Sequence, residues 1–253
     1  MEIVFLTLNP EFFGGFLKEG ILAKAISKGI IKVTFINFRE FTLDKHSCVD
    51  DTPYGGGSGM LLKPEPIIRA FESVELLPRR ITIMPAPDGK IFSSEVSVKF
   101  SYFDQMIFIC GRYEGIDSRV SDIINPEHIS VGNYILSNGE LAALVIFNAV
   151  MRNIPGVLGN SDSLKEESFS INRDPANAFG NLSKKNIRYT DEKSGIYDSE
   201  NENLLEYPQY TRPYSYRGFK VPDVLREGNH KLISEWMINE SVKKTKKHNV
   251  LAY

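Results

Sequence analysis

Apolar positions along the chain gather in four short runs, Glu2–Leu8, Ile31–Asn37, Ile81–Pro85 and Met106–Cys110, separated by stretches whose apolar residues recur at helical spacing. Short runs of that density predict strands, and the intervening stretches predict helices over Gly20–Lys28, Lys63–Leu77 and Ser94–Phe103. Alternation of the two implies crossover connections and a parallel α/β sheet. A further helix is expected over Gly139–Asn153, with Leu141, Leu144, Val145 and Asn148 at helical spacing, and a first domain, residues 1–159, closes around Ile154-Pro155-Gly156. Residues 160–203 read as a linker, because Ser170–Asn203 is dominated by Asn, Ser, Asp, Glu and Lys with only scattered apolar residues. Order is expected again over 204–253, where a helix at His230–Val242 sets Leu232, Ile233, Trp236 and Met237 on one side; that unit is too small for much core of its own.

Two places in this pattern break it in a useful way. The apolar run ending at Ile109 empties without a polar spacer into Cys110-Gly111-Arg112-Tyr113-Glu114-Gly115-Ile116-Asp117, a turn bracketed by glycines. In an open α/β sheet such a strand end is where ligands bind, because backbone groups there are released from the ladder. The stretch Val131–Glu140 repeats the arrangement as a short apolar strand interrupted by small and turn-forming residues, so two such ends are expected to wall one pocket.

Composition narrows the class. At 253 residues and 42% hydrophobic content the chain is long enough to bury a full α/β core and a small second domain. Cys48 and Cys110 offer neither a disulfide framework nor metal-ligand spacing, Cys110 reads as a small buried side chain, and a reducing, cytoplasmic setting is expected. The start Met1-Glu2-Ile3-Val4-Phe5 lacks a basic leader, and the longest apolar run, Leu141–Phe147, is too short to span a bilayer.

The net charge of −2 conceals an asymmetry: residues 204–253 carry nine Lys/Arg against five Asp/Glu. Arg212, Arg217 and Lys220 are interleaved with Tyr207, Tyr210, Tyr214 and Tyr216, and four lysines crowd positions 243–247. Two readings stay open here: phosphate contact with base stacking, or a solvated helix end beside a packed tyrosine cluster. The cluster Tyr54-Gly55-Gly56-Gly57-Ser58-Gly59-Met60 is not a phosphate loop, since no Gly-Lys-Ser/Thr follows and no strand is expected before it. Its glycines allow close backbone approach to a bulky ligand, a loop that moves, or a purely structural turn.

Tyr54–Met60, Cys110–Asp117, Val131–Leu141, Arg152-Asn153-Ile154-Pro155-Gly156-Val157-Leu158-Gly159 and Tyr207-Pro208-Gln209-Tyr210-Thr211-Arg212-Pro213 occur in one order and spacing. Together they resemble the bacterial tRNA (guanine-N(1)-)-methyltransferases of the knotted SPOUT class. The resemblance implies a parallel α/β sheet with a C-terminal trefoil knot, a small mostly helical tRNA-binding domain, and a homodimer with its active site at the subunit interface. It implies methyl transfer from S-adenosylmethionine to N(1) of the guanosine immediately 3′ of the anticodon. Carried over residue by residue, the S-adenosylmethionine site comprises Pro85, Gly111, Tyr113, Glu114, Val131, Gly132, Asn133, Tyr134, Ile135, Leu136, Asn138 and Gly139. Tyr54, Gly57, Gly59, Met60 and Arg212 fall to the tRNA substrate. Magnesium accompanies the family's activity, and no protein site for it is visible in this sequence.

The reaction itself sets requirements. Guanine N(1) holds a proton at neutral pH, so a general base must remove it and a cation must meet the charge passed to the purine oxygen. Arg152 matches the family's arginine, and Glu167, in Glu167-Ser168-Phe169, stands where the family has aspartate. Asn138 replaces a usual glycine, Ala142 a usual proline, and the polar stretch after Glu167 reads as a long insertion. A knotted ribose methyltransferase fits the Glu167-Ser168-Phe169 and Pro208–Pro213 motifs less well, and a non-catalytic RNA-binding relative is the remaining alternative.

Overall fold

The computed structural model describes residues 1–159, 164, 167–169, 188–191, 195–198 and 204–248. The chain divides into two compact units, Met1–Gly159 and Asn160–Tyr253.

The first unit is built on strands β1 (Glu2–Leu6), β2 (Lys32–Ile36), β5 (Arg80–Ile91), β6 (Gln105–Ile109) and β7 (Glu127–Ser130), in the all-parallel order β2-β1-β6-β5-β7. Two-residue strands β3 (Asp50–Asp51) and β4 (Leu61–Leu62) pair with each other antiparallel. Helices α1 (Gly14–Lys18), α2 (Gly20–Ser27), α3 (Pro64–Glu72), α4 (Ser94–Phe100), α5 (Arg119–Ile124) and α6 (Gly139–Met151) complete it.

Strands β1 and β6 are central, and successive residues feed opposite faces of the sheet. Ile3, Phe5, Met106 and Phe108 join one core with α2, α4 and α6; Val4, Leu6, Ile107 and Ile109 join a second core with Leu62, Ile67 and Val120. Burial on both faces explains why these strands read as unbroken apolar runs. Phe5 anchors the larger core: its ring lies 5.1 Å from Phe108, 4.4 Å from Phe13, 5.5 Å from Phe35 and 5.9 Å from Phe147.

Several boundaries differ from the sequence reading, each for a local reason. The helix expected to reach Leu77 stops at Glu72, because the buried Gln105 carboxamide takes the Leu77 N–H (3.1 Å) and donates to the Glu75 carbonyl (2.8 Å). Val131–Glu140, expected to hold a short interrupted strand, forms bends and irregular chain until α6 begins at Gly139; the strand is the preceding β7, whose Glu-His-Ile-Ser sequence carries one fully apolar position. A short strand, β3, does precede the glycine cluster. Strand β5 continues past Pro85 through a bulge in which Pro85 and Lys90 both stand opposite Ile129. Helix α5 was not expected; it is only six residues long, and Asp117 Oδ1 accepts the Arg119 N–H at its start (2.9 Å).

In the second unit the last helix, α7 (His230–His248), runs further than Val242. Tyr207 and Tyr210 pack on its Trp236 at centroid distances of 6.4 and 6.3 Å. The Leu205 N–H donates to Thr245 Oγ1 (2.9 Å) and Lys244 Nζ to the Glu206 carbonyl (2.9 Å), tying the incoming strand of chain to the helix. The stretch read as a linker lies mostly outside the described residues. Within it, β8 (Arg188–Asp191) and β9 (Gly195–Asp198) pair antiparallel. A two-stranded ribbon, β10 (Ser215–Tyr216) and β11 (Phe219–Lys220), precedes α7.

The bulge in β5 depends on Gly89, where a Cβ would overlap the His128–Ile129 peptide of β7. Backbone cannot yield as a flexible side chain would, so Gly89→Ala is expected to destabilise the protein by about 1–3 kcal/mol. Gly14→Ala, with nothing within 4 Å of the added atom, serves as the control in the same thermal unfolding series. Equal midpoints for the two variants would contradict this packing.

Candidate active site

The carboxyl ends of β6 and β7 and the bulge in the middle of β5 converge on one cavity of about 370 Å3. Pro85, Ala86 and Pro87 of the bulge form one wall, Gly111–Gly115 a second, and Ile129–Gly132 with Tyr134–Gly139 and Ala142 the remainder. Of the positions assigned from sequence to the methyl donor, Pro85, Gly111, Tyr113, Glu114, Val131, Gly132, Tyr134, Ile135, Leu136, Asn138 and Gly139 all line it; Asn133 does not.

What closes the cavity is a backbone contact. The Gly139 N–H donates to the Gly111 carbonyl (2.8 Å), and a Cβ on Gly139 would lie 2.6 Å from the Gly111 nitrogen and 3.2 Å from two Cys110 atoms. The chain leaving β7 therefore returns past β5 to touch the end of β6. Asn138 caps α6 by accepting the Leu141 N–H (3.1 Å), a role glycine has no side chain to perform. Tyr113, at φ 60°, holds a left-handed conformation that is uncommon for a bulky side chain, and such strain concentrates at functional sites.

Beside this contact the same two turns are joined by side chains. Glu140 is fully buried; its Oε1 accepts from Thr7 Oγ1 (2.7 Å) and lies 3.8 Å from Arg112 Nε. The Asn9 amide oxygen, oriented toward its donors, accepts from both terminal nitrogens of Arg112 (2.8 and 2.9 Å). Thr7, Asn9, Arg112 and Glu140 thus bind the end of β1, the Gly111 turn and the start of α6 together. Sequence reasoning missed all four. Arg112 sits inside the glycine-bracketed motif and was the one detectable signal; Glu140 looked like an ordinary first-turn acid.

The glycine cluster is stitched to the same motif. The Glu114 N–H donates to the Met60 carbonyl (3.0 Å), Leu62 N–H to Gly115 (3.0 Å) and Asp117 N–H to Leu62 (3.0 Å), while the Glu114 side chain lies across Gly59. Met60 and Gly59 are thereby fixed against the cavity's second wall. Tyr54, fully exposed, and Gly57 stand further out on the loop.

Arg152 is placed otherwise. It caps the C-terminal end of α6, whose first residue, Gly139, is at the cavity. Thirteen residues at 1.5 Å rise put these ends roughly 20 Å apart. One copy of the chain does not bring Arg152 to its own cavity. Glu167 and Arg212 belong to the second unit. There the Glu206 N–H donates to Ser168 Oγ (2.9 Å) and the Phe169 N–H to the Leu204 carbonyl (3.0 Å), so residues on either side of 170–203 are bonded to each other. Among the described residues, no group of three or more His, Cys, Asp or Glu is placed to hold a metal, and no helix is long and apolar enough to cross a membrane.

A parallel α/β sheet with a cavity at its strand carboxyl ends, walled by glycine turns, defines an α/β enzyme with a ligand site at the switch between strands. The tRNA (Guanine-1)-methyltransferase TrmD family model matches residues 1–179 and 188–251, and the chain belongs to that family of enzymes. Among relatives named tRNA (guanine-N(1)-)-methyltransferase, that of Persephonella marina is 44% identical over 246 residues, covering 97% of this chain and 85% of its own. Those of Carboxydothermus hydrogenoformans (45%, with 97% and 84% covered) and Gloeothece citriformis (42%, with 97% and 94% covered) are similar. Within the polar stretch Ser170–Asn203, the family match is interrupted at residues 180–187.

Burial raises the Cys110 thiol well above its ordinary range, with the Glu140 charge acting in the same direction. This thiol contributes stability that is full below the unfolded thiol's value, near pH 8.5, and is lost as pH rises toward the folded value. At pH 7 an alkylating reagent is expected to modify exposed Cys48 alone in the native protein and both cysteines in denaturant. Native labelling of Cys110, read by peptide mass, would contradict the burial of this strand end.

Proposed function

We propose that the chain transfers the methyl group of S-adenosylmethionine to N(1) of the guanosine immediately 3′ of the tRNA anticodon, working as a cytoplasmic homodimer. The observation that carries this reading is the glycine-pinched cavity at the ends of β6 and β7, in a chain of this family.

The cavity fits such a donor. Its volume lies within the range for small-molecule sites, and it offers turn backbone groups together with Pro85, Val131, Ile135, Leu136 and Ala142. Bound there, S-adenosylmethionine supplies an electrophilic methyl group on a sulfonium, whose charge disperses as the bond to sulfur breaks; weak screening in an apolar site favours that change. The return of the chain from β7, past β5, to the end of β6 supports a knotted path for residues 131–139.

The acceptor requires more than the cavity. Glu167 takes the N(1) proton, the freed ring electron pair forms the new bond to carbon, and Arg152 stabilises the negative charge developing on the purine oxygen. Because α6 carries Arg152 away from its own cavity, the arginine serves the cavity of a second copy. Exposed Leu141 and Val145, one turn apart on α6, supply an apolar strip for that copy to cover. The bond between Phe169 and Leu204 lets Glu167 hold its position whatever the length of chain between them. The small C-terminal unit, with the tip of its ribbon and its lysine-rich helix end, is the part assigned to tRNA.

Labelled S-adenosylmethionine, magnesium and unmodified tRNA test this directly, with the methylated atom mapped afterwards. Glu167→Gln is expected to lower the rate roughly 10^2- to 10^4-fold and Arg152→Ala by about 10^2-fold or more, with the wild type inactive on a tRNA lacking that guanosine. Equal rates for wild type and both variants would overturn the roles; methylation at a ribose oxygen would overturn the reaction.

A further inference from the structure

The tyrosine-rich segment of the second unit divides into residues that are used internally and residues that are not. Tyr207 and Tyr210 are taken up by Trp236. The Arg226 guanidinium lies 3.9 Å over the Tyr214 ring, whose hydroxyl donates to Asp223 Oδ1 (3.1 Å). What remains is the tip of the ribbon. Tyr216 stands opposite Phe219 in antiparallel register, joined by Arg217 and Gly218 at φ 50° and 87°, which is the geometry of a tight two-residue hairpin turn.

Directly opposed residues share one face of a ribbon, so both side chains project from the same face of its tip. Both face outward: Phe219 is 84% exposed and Tyr216 64%. A phenylalanine so exposed is not part of the unit's core. The ribbon is instead held at its base, where the Val221 N–H donates to the Tyr214 carbonyl (2.9 Å) and Arg226 covers Tyr214. The surroundings are basic: residues 212–226 hold Arg212, Arg217, Lys220 and Arg226 against the single carboxylate Asp223. Arg217 lies 5.4 Å from the Tyr216 ring centre, adding a cation beside the aromatic face.

The geometry points to the Tyr216–Phe219 pair as a stacking platform for an unpaired base of the tRNA, with Arg217 and Lys220 meeting the adjacent phosphates. This inference rests on the tRNA reading above and adds to it the element that grips the nucleic acid. Aromatic rings accept any base face, and positive charge favours an anionic polymer over a second copy of this chain. The ribbon holds substrate and takes no part in the transfer step.

Full-length wild type, Phe219→Ala, Tyr216→Ala and the conservative Phe219→Trp are to be compared for tRNA affinity, steady-state methylation, S-adenosylmethionine affinity and sedimentation. Each alanine variant is expected to weaken tRNA binding and raise KM roughly tenfold, the loss of one stacked base, while kcat, donor affinity and sedimentation stay as in wild type. Phe219→Trp is expected to bind as well as wild type. Unchanged tRNA affinity in both alanine variants, with methylation intact, would overturn the platform and leave the enzymatic reading standing. A loss of affinity accompanied by altered sedimentation would assign the ribbon to contacts between copies and equally overturn it. Failure of the wild type to bind tRNA would overturn both readings.

Discussion

One close approach governs the first unit: Gly139 set against Cys110–Gly111, with the N–H of one bonded to the carbonyl of the other. A side chain at Gly139 would have nowhere to go, and without the contact the turns 131–138 would lack the fixed end that makes them a wall. The same contact fixes where α6 begins. A helix is a rigid spacer, so fixing its first turn at the cavity also fixes its last turn away from it. Arg152 is thereby carried off the cavity that its own chain builds, which is why the proposed reaction calls on a second copy for it.

Side chains reinforce what the backbone begins. Burying Glu140 is costly, and its bond from Thr7 and the neighbouring Arg112 offset that cost only because β1, the Gly111 turn and α6 are all in place. The four residues act as a latch among three segments distant in sequence. They support the floor under Gly111 and Gly139 without adding to the apolar surface a ligand would meet.

Much of this was readable in the chain, for reasons that differ by element. Strands β1 and β6 are buried on both faces, so their sequences are continuous apolar runs that stand out against any background. The cavity was legible because such a run ended abruptly in glycines. Strand β7 was not, since it lies at the edge of the sheet and alternates polar residues with Ile129; the apolar residues just after it attracted the assignment instead. The early end of α3 turns on a bond from Gln105, which no local pattern encodes. Periodicity is likewise silent about Glu140 and Arg112, whose meaning comes from contacts across more than a hundred residues with Thr7 and Asn9. The tyrosines of the second unit were legible as a group but not individually: Trp236 and Arg226 engage three of them, leaving Tyr216 with Phe219 at the tip.

The division of one site between two copies is the central claim, and mixing two damaged proteins measures it most directly. Arg152→Ala keeps the cavity and lacks the cation; Leu136→Trp fills the cavity and keeps the cation. Each alone should be inactive. Unfolded and refolded together, they should recover roughly a quarter of wild-type methylation, because half the dimers are mixed and each mixed dimer holds one intact site. A mixture as inactive as its components, in dimers shown to have exchanged, would mean that cavity and arginine serve the same copy, and the account would be wrong.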